Sequence, residues 1–261
     1  MPFAHVNGID LFYESHGEGP AIVFLHGRGG NHLSWWQQVP YFESRFRCIT
    51  IDHREFGLSK EVNNGPGRKA FADDLHELLD HLKIDKACLV GQSMGGFTAM
   101  SFAMRAPDRV AGLVLADTTG GIVTADIQSE MRRAIAALPA DPLSRSLALG
   151  FPQREPELTF LYSALGRLTF SIRESLEDLL TNEDGPSLPD LADLAVYKVP
   201  ALVIVGSEDV LVPPVVAHMV AAHLPGARLE VIAGAGHSAY FEKPAAFNAA
   251  LEGFVGGLRY Q

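Results

Sequence analysis

The feature that most constrains the fold of this chain is an alternation of short apolar runs with helix-type patterns. The first two runs flank Asn7-Gly8, which is typical of a β-hairpin. The later runs are compact and unbroken in hydrophobicity, as in strands of parallel sheets that are covered on both faces. The predicted strands are 3–6, 11–13, 21–25, 47–51, 87–90, 110–116, 201–205 and 228–232.

Helical patterns lie between these strands. Phenylalanine and leucine residues from 71 to 82 repeat at intervals of three and four, with acidic residues on the opposite face. A second helix is expected from just after Ser93 until Pro107 stops it, and others near 215–224 and 244–258. Repeated strand and helix units predict an α/β fold with a mostly parallel sheet and helices on both faces.

Residues 121–195 interrupt this alternation of strands and helices. They contain helical stretches at 126–138 and 171–180, several prolines and no convincing strand. The chain after them has too few strands to form a second domain. We therefore predict one core from 1–120 and 196–261, with residues 121–195 inserted as a helical cap.

The composition of the chain argues against some classes of binding partner. A net charge of −10 argues against nucleic-acid binding, which needs clustered Lys and Arg to neutralise phosphates. No apolar stretch approaches the roughly 18 residues of a membrane span, and no signal peptide is evident. Cys48 and Cys88 lie in predicted strands and are expected to fill the core. We expect a cytoplasmic protein that acts on a small molecule, with neither nucleic acid nor membrane as partner; no pattern predicts an oligomeric state.

The strongest chemical signal is Gly91-Gln92-Ser93-Met94-Gly95, directly between a predicted strand and a predicted helix. Its G-x-S-x-G form is that of a nucleophile elbow, a turn that exposes a serine hydroxyl. Glycines give the clearance that a strained turn needs, and the helix N-terminus favours developing negative charge. Ser93 is therefore predicted to be a nucleophile; the alternative is a glycine-rich turn with a capping serine.

With this motif the chain resembles the α/β-hydrolase superfamily, and the similarity spans nearly its whole length. The resemblance implies an eight-stranded sheet with a cap and a reaction that needs no cofactor. In the family, the residue after His-Gly donates a backbone N–H to the oxyanion hole. The match at His26-Gly27 places this donor at Arg28, and the residue after the nucleophile places the second at Met94.

Two further segments resemble the family's acid and histidine loops. The loop at 206–209 ends in Asp209, and the glycine-rich loop at 234–238 contains His237. The order Ser, Asp, His then matches a catalytic triad in which His237 is the base and Asp209 orients it. Asp117, which follows the predicted strand before the cap, is the rival acid. The other histidines lack paired ligand spacing, so no metal site is expected.

The segment from Asp52 to Ser59 is similar to the family's D-x-R-G-x-G-x-S turn, but Glu55 stands where glycine is usual. The substitution is consistent with a locally altered turn, with a solvated side chain, or with a functional carboxylate near the pocket.

The expected activity is hydrolysis of a carboxylic ester or lactone of a small to medium hydrophobic compound. Residues 115–118 resemble segments of enol-lactone hydrolases, which favours this reaction. Trp35, Trp36 and Tyr162 are the candidate substrate contacts. The alternatives are cleavage of a carbon–carbon bond in a β-diketone or ring-fission product, and a ligand receptor with slow turnover. Cofactor-free perhydrolase chemistry is an expected side reaction at most.

Overall fold

The predicted strands pair into a single sheet in the computed structural model, which describes residues 2–62, 65–169, 185–186 and 188–260. The order across the sheet is β1-β2-β4-β3-β5-β6-β7-β8. The first two contacts, β1 with β2 and β2 with β4, are antiparallel, and all the others are parallel. The strands are β1 (Phe3–Val6), β2 (Ile9–His16), β3 (Ala21–Leu25), β4 (Arg47–Ile51), β5 (Ala87–Gln92), β6 (Val110–Ala116), β7 (Ala201–Gly206) and β8 (Arg228–Ile232).

Helices cover both faces of this sheet, as the sequence predicts. Alternate residues of one strand enter two different cores: Val23 joins one buried cluster and Phe24 the other. The described α-helices are α1 (Val39–Phe42), α2 (Phe71–His81), α3 (Met94–Arg105), α4 (Ala125–Ala136), α5 (Pro142–Ser146), α6 (Phe151–Arg154), α7 (Pro156–Gly166), α8 (Leu191–Ala195), α9 (Pro214–Ala222), α10 (Ala239–Glu242) and α11 (Pro244–Val255). The first cluster contains buried residues of α2, α3 and α9, and the second contains those of α1 and α11.

Residues 121–195, which we call the cap segment, lie between β6 and β7. Their described part holds helices α4 to α8 and no strand. The predicted helix at 171–180 lies outside the described residues. Leu147 and Phe151 of the segment share a buried cluster with Phe241 of α10, so the cap segment packs on the loop region that follows β8. Within the described ranges, no helix has both the length and the hydropathy to cross a bilayer.

Candidate active site

Ser93 lies in a strained turn between β5 and α3. Its backbone adopts φ 49° and ψ −114°, a region that side-chain-bearing residues rarely occupy. The neighbouring glycines are required by close approach, because a Cβ at Gly91 would lie 2.4 Å from the carbonyl oxygen of Gly95. A Cβ at Gly95 would in turn lie 2.2 Å from the carbonyl oxygen of Leu25. The G-x-S-x-G pattern therefore has the steric basis that the sequence predicts.

The turn aims the Ser93 hydroxyl at a histidine that is 144 residues away in the chain. The Oγ of Ser93 lies 3.0 Å from Nε2 of His237. The other ring nitrogen of His237, Nδ1, lies 2.9 Å from Oδ2 of Asp209. The three side chains predicted from sequence thus form one hydrogen-bonded chain.

Further hydrogen bonds hold Asp209 and His237 of this chain in place. The free carboxylate oxygen of Asp209, Oδ1, accepts the N–H groups of Leu211 and Val212 at 2.8 and 2.9 Å. The side-chain amide of Gln92, next to the nucleophile, donates to the carbonyl oxygen of His237 at 2.8 Å. The imidazole is therefore oriented by its carboxylate and by its own backbone.

The charge around His237 changes its acidity. Burial alone would lower the pKa of His237, but the charge of Asp209 and the hydrogen bond to it raise it. Asp117 and Glu242 raise it further, and the pKa of His237 lies above the ordinary value of 6.5. A carboxylate that favours the imidazolium is what a general base needs as it takes a proton.

Asp117, the rival acid, lies beside this chain but does not contact the imidazole ring through a hydrogen bond in the described residues. It is fully buried, and its two oxygens accept the N–H groups of Gly206 at 3.0 Å and Ala239 at 3.4 Å. Burial, and then the charge of Asp209, hold the pKa of Asp117 well above its ordinary value. Asp117 therefore joins β6 to the loops that hold Asp209 and His237, and of these two aspartates it is Asp209 that pairs with His237.

A further buried carboxyl, that of Glu242, was not assigned a role from the sequence. Its Oε1 accepts the N–H of Gly236 at 2.9 Å, and its Oε2 accepts the N–H of Ala148 at 2.7 Å. Glu242 thus ties the histidine loop to the cap segment. Its place five residues after His237 is the signal that sequence reasoning could have used.

The structure gives a different kind of support for each of the two predicted oxyanion donors, Arg28 and Met94. Arg28 lines the same cavity as Ser93 and His237. Met94 is the first residue of α3, so its N–H lies in the first turn, where no preceding helical carbonyl is available. Both positions therefore keep the oxyanion role as a prediction.

Ser93 and His237 open into a cavity of about 170 Å³. This is smaller than the roughly 300–1,000 Å³ of typical drug-sized pockets. Its wall is mixed, with backbone of the loop after β3, apolar side chains and several hydroxyl groups. The described lining residues are Gly27, Arg28, Gly29, Gly30, Ser34, Gln92, Ser93, Ser146, Tyr162, Leu165, Gly166, Leu211, His237, Tyr240 and Phe241.

Two of the three predicted substrate contacts, Trp35 and Trp36, are not among the described residues that line the cavity. Trp35 is completely buried in the core, packed on Phe24 and Tyr240 with ring centroids 5.1 and 4.8 Å apart. Trp36 is 40% exposed and contacts Phe241 from outside the cavity wall. Because the two tryptophans are adjacent in a short helical turn, their side chains point in different directions. Trp35 faces the core and Trp36 faces the surface, and neither belongs to the described lining of the cavity.

Tyr162 does line the cavity, as expected, and the hydroxyls of Ser34, Ser146 and Tyr240 were missed. The cavity wall therefore combines apolar side chains with residues that carry hydroxyl groups. Tyr240 lies three residues after His237, and this closeness to the predicted base could have identified it as a cavity residue. Nothing in the sequence distinguishes Ser34 in the same way.

Glu55 adopts φ 72°, in the left-handed region that favours glycine. Glu55 thus occupies a backbone conformation that glycine adopts without strain. Glu55 is not among the described residues that line the cavity, so a functional carboxylate there is not supported.

Comparison with known proteins agrees with this fold. Residues 20–244 match the family of proteins with the alpha/beta hydrolase fold. A putative non-heme bromoperoxidase of Mycobacterium tuberculosis is 30% identical over 96% of this chain and 99% of its own length. A 3-oxoadipate enol-lactonase of Acinetobacter baylyi is 29% identical over 94% of this chain and 92% of its own.

Solved structures show the same relationship. The crystal structure of the enol-lactonase from Burkholderia xenovorans superposes with a TM-score of 0.79 and 28% sequence identity. The match covers 98% of this chain and 100% of the enol-lactonase chain. The family match extends over most of the chain and includes the nucleophile turn and the acid and histidine loops. This chain therefore belongs to the α/β-hydrolase family and is a hydrolase.

Proposed function

We propose that this protein is a serine hydrolase that cleaves a small carboxylic ester or lactone through an acyl-enzyme. The observation that supports this most strongly is the hydrogen-bonded chain from Ser93 through His237 to Asp209, with distances of 3.0 and 2.9 Å. Two relatives named as enol-lactonases favour an ester or lactone bond as the target.

The proposed chemistry begins at Ser93. As its Oγ bonds to the substrate carbonyl carbon, Nε2 of His237 takes the hydroxyl proton, and Asp209 stabilises the imidazolium. The backbone N–H groups of Arg28 and Met94 would receive the tetrahedral oxyanion, each contributing a few kcal/mol in a water-excluded site.

Collapse of this intermediate breaks the bond to the leaving oxygen, which receives the proton from His237. An ester releases an alcohol, and a lactone leaves its own hydroxyl on the acyl chain. Water then attacks the acyl-enzyme with His237 again as base, and the acid product leaves.

The test is a panel of short-chain esters, lactones and vinylogous diketones, compared by kcat/KM with the wild-type protein and a folded Ser93→Ala variant. We expect the esters or lactones to rank first and Ser93→Ala to lose about 10⁴-fold or more in kcat. A ranking led by the diketones would favour carbon–carbon bond cleavage. Wild-type rates in folded Ser93→Ala would overturn the acyl-enzyme.

A further inference from the structure

The peptide unit between Ser93 and Met94 enters the proposed reaction through both of its residues. Ser93 supplies the nucleophile, and the N–H of Met94, at the start of α3, is one of the two predicted oxyanion donors. This peptide unit is trans and planar, so its C=O and N–H groups point in opposite directions. A group that holds the carbonyl oxygen of Ser93 therefore also fixes the direction of the Met94 N–H.

The carbonyl oxygen of Ser93 is held by a side chain from the neighbouring strand of the sheet. Thr118, two residues after the end of β6, donates its hydroxyl to this oxygen at 2.8 Å. The N–H of Gly96, in the first turn of α3, donates to the same oxygen at 2.9 Å. The hydroxyl oxygen of Thr118 in turn accepts the N–H of Gly120 at 3.1 Å. The hydroxyl of Thr118 is therefore held in one orientation, with its proton directed at Ser93.

The end of β6 contacts Ser93 on both sides of its Cα. The N–H of Ser93 donates to the carbonyl oxygen of Ala116 at 2.9 Å, and its carbonyl oxygen accepts the hydroxyl of Thr118. Ser93 has a φ of 49°, and such a conformation persists only where the surrounding contacts impose it. The bond from Gly96 is local to the turn, whereas these two bonds join the turn to another strand. They are therefore the tertiary contacts that can impose the strained conformation.

Thr118 is packed closely against the nucleophile turn and lies behind the cavity wall. It is 2% exposed, and a Cβ at Gly96 would lie 2.3 Å from its Cγ2. Thr118 is not among the described residues that line the cavity beside Ser93. A hydrogen bond to a carbonyl oxygen in buried surroundings also polarises the amide, which strengthens the N–H of the same peptide unit as a donor. Thr118 can thus influence the reaction through the peptide unit without contacting the substrate.

We propose that Thr118 is a positioning residue that directs the N–H of Met94 at the oxyanion by holding the carbonyl oxygen of Ser93. This inference rests on the proposed function, because the donor matters only if a tetrahedral oxyanion forms beside Ser93. Its contribution is realised in the transition state, where the negative charge develops on the substrate oxygen. Loss of the hydroxyl should therefore lower kcat and leave KM nearly unchanged.

The kinetic experiment measures kcat and KM on 4-nitrophenyl butanoate in variants of two buried threonines. Thr118→Val removes the hydroxyl and keeps the shape of the side chain, and Thr118→Ser keeps the hydroxyl. The matched control is Thr98→Val, because Thr98 is a completely buried threonine of α3 whose hydroxyl has no hydrogen-bond partner among the described residues. Thr118→Ala also removes the hydroxyl, and it takes the place of Thr118→Val if that variant does not fold.

We expect kcat to fall roughly three- to tenfold in Thr118→Val, the loss typical of one hydrogen bond. KM should stay within about twofold of the wild-type value, as for an interaction made only in the transition state. Thr118→Ser should restore kcat, and Thr98→Val should keep both values. Rescue by serine assigns the effect to the hydroxyl rather than to the packing of the methyl group.

A second measurement separates the donor strength of Met94 from the placement of the Ser93 hydroxyl. The probe is 1,1,1-trifluoropentan-2-one, labelled with ¹³C at its carbonyl. Oγ of Ser93 bonds to this carbon, His237 takes the hydroxyl proton, and the carbonyl oxygen becomes a hemiketal oxyanion. The ¹³C chemical shift against pH gives the pKa of the hemiketal hydroxyl, which N–H donors to the oxyanion lower. This pKa should be higher in Thr118→Val than in the wild-type protein by about 0.5 to 1, the equivalent of a three- to tenfold loss.

An unchanged kcat in Thr118→Val would overturn the proposal, and so would a loss in Thr118→Ser as large as that in Thr118→Val. A lower kcat with an unchanged hemiketal pKa would show that Thr118 places only the nucleophile, which would overturn it as well. If the wild-type protein cleaved no ester or lactone, the proposed function itself would fall. Ester cleavage that does not depend on the hydroxyl of Thr118 would overturn this inference alone.

Discussion

The cavity has two walls that are built in different ways. The sheet wall consists of Ser93, His237 and the loops at the ends of β3, β5, β7 and β8, and its side chains are held by buried hydrogen bonds to backbone. The described part of the cap wall contains Ser146, Tyr162, Leu165 and Gly166 from helices α5 and α7. Helix α7 buries none of its residues fully, and Phe160 on it is 69% exposed. The cap wall is therefore the more loosely packed of the two, and we expect the sheet wall to fix the chemistry and the cap wall to select the substrate.

The sharpest test of the sheet wall is a matched pair of substitutions at its two buried aspartates. Asp209→Asn should lower kcat by roughly 10³- to 10⁴-fold, because an amide does not stabilise the imidazolium and can hold the wrong tautomer. Asp117→Asn should lower it by less than about tenfold, because Asp117 has a raised pKa and contacts backbone rather than the imidazole. The measurement is kcat on one ester for both variants.

Equal losses in the two variants would contradict the assignment of Asp209 as the acid, since they would give Asp117 an equal share in orienting His237. Thermal unfolding of both variants is the control, because each substitution changes a buried carboxyl that accepts backbone N–H groups.

The sheet wall also predicts a pH dependence. His237 acts as a base only when neutral, and its pKa is raised above 6.5. Activity should therefore fall about tenfold per pH unit below a pKa that lies above 6.5, and reach its plateau on the alkaline side. The acid limb of kcat/KM against pH, recorded between pH 5 and 9, measures this. An acid limb centred below the ordinary histidine value would contradict the account of the charges around His237.

The cap wall should give the smallest effects, and these should appear in selectivity. Leu165→Ala enlarges the cavity from the cap side. It should change kcat on the shortest ester by less than about threefold while shifting the preferred acyl chain to longer substrates, because one or two methylenes in an apolar pocket change discrimination modestly. Phe160→Ala, on the same helix but outside the described cavity lining, is the control and should leave the chain-length profile unchanged. A large loss of kcat in Leu165→Ala would show that the cap also fixes the chemistry.

The same contrast explains what could be predicted from sequence. The strands were predictable from their apolar runs. Ser93, Asp209 and His237 were predictable because each lies in a glycine-containing loop after such a run, where parallel sheets place their sites. The cap wall was less predictable, because the direction of a side chain on a short helix depends on packing between distant segments. Trp35 was misplaced for this reason, and Tyr240 was missed although it lies in the histidine loop. The carboxyl of Glu242 has its backbone partners in two different loops, one of them in the cap segment, a contact that no local pattern shows.

The central claim is that Ser93 becomes a nucleophile through His237, and covalent labelling tests it most directly. The protein is incubated with a fluorophosphonate, and the labelled residue is identified by peptide mass spectrometry in wild-type protein and in His237→Ala. We predict stoichiometric labelling of Ser93 in the wild-type protein and a rate of labelling lower by several orders of magnitude in His237→Ala. Labelling at another residue, or equally fast labelling of Ser93 without the imidazole, would contradict the account.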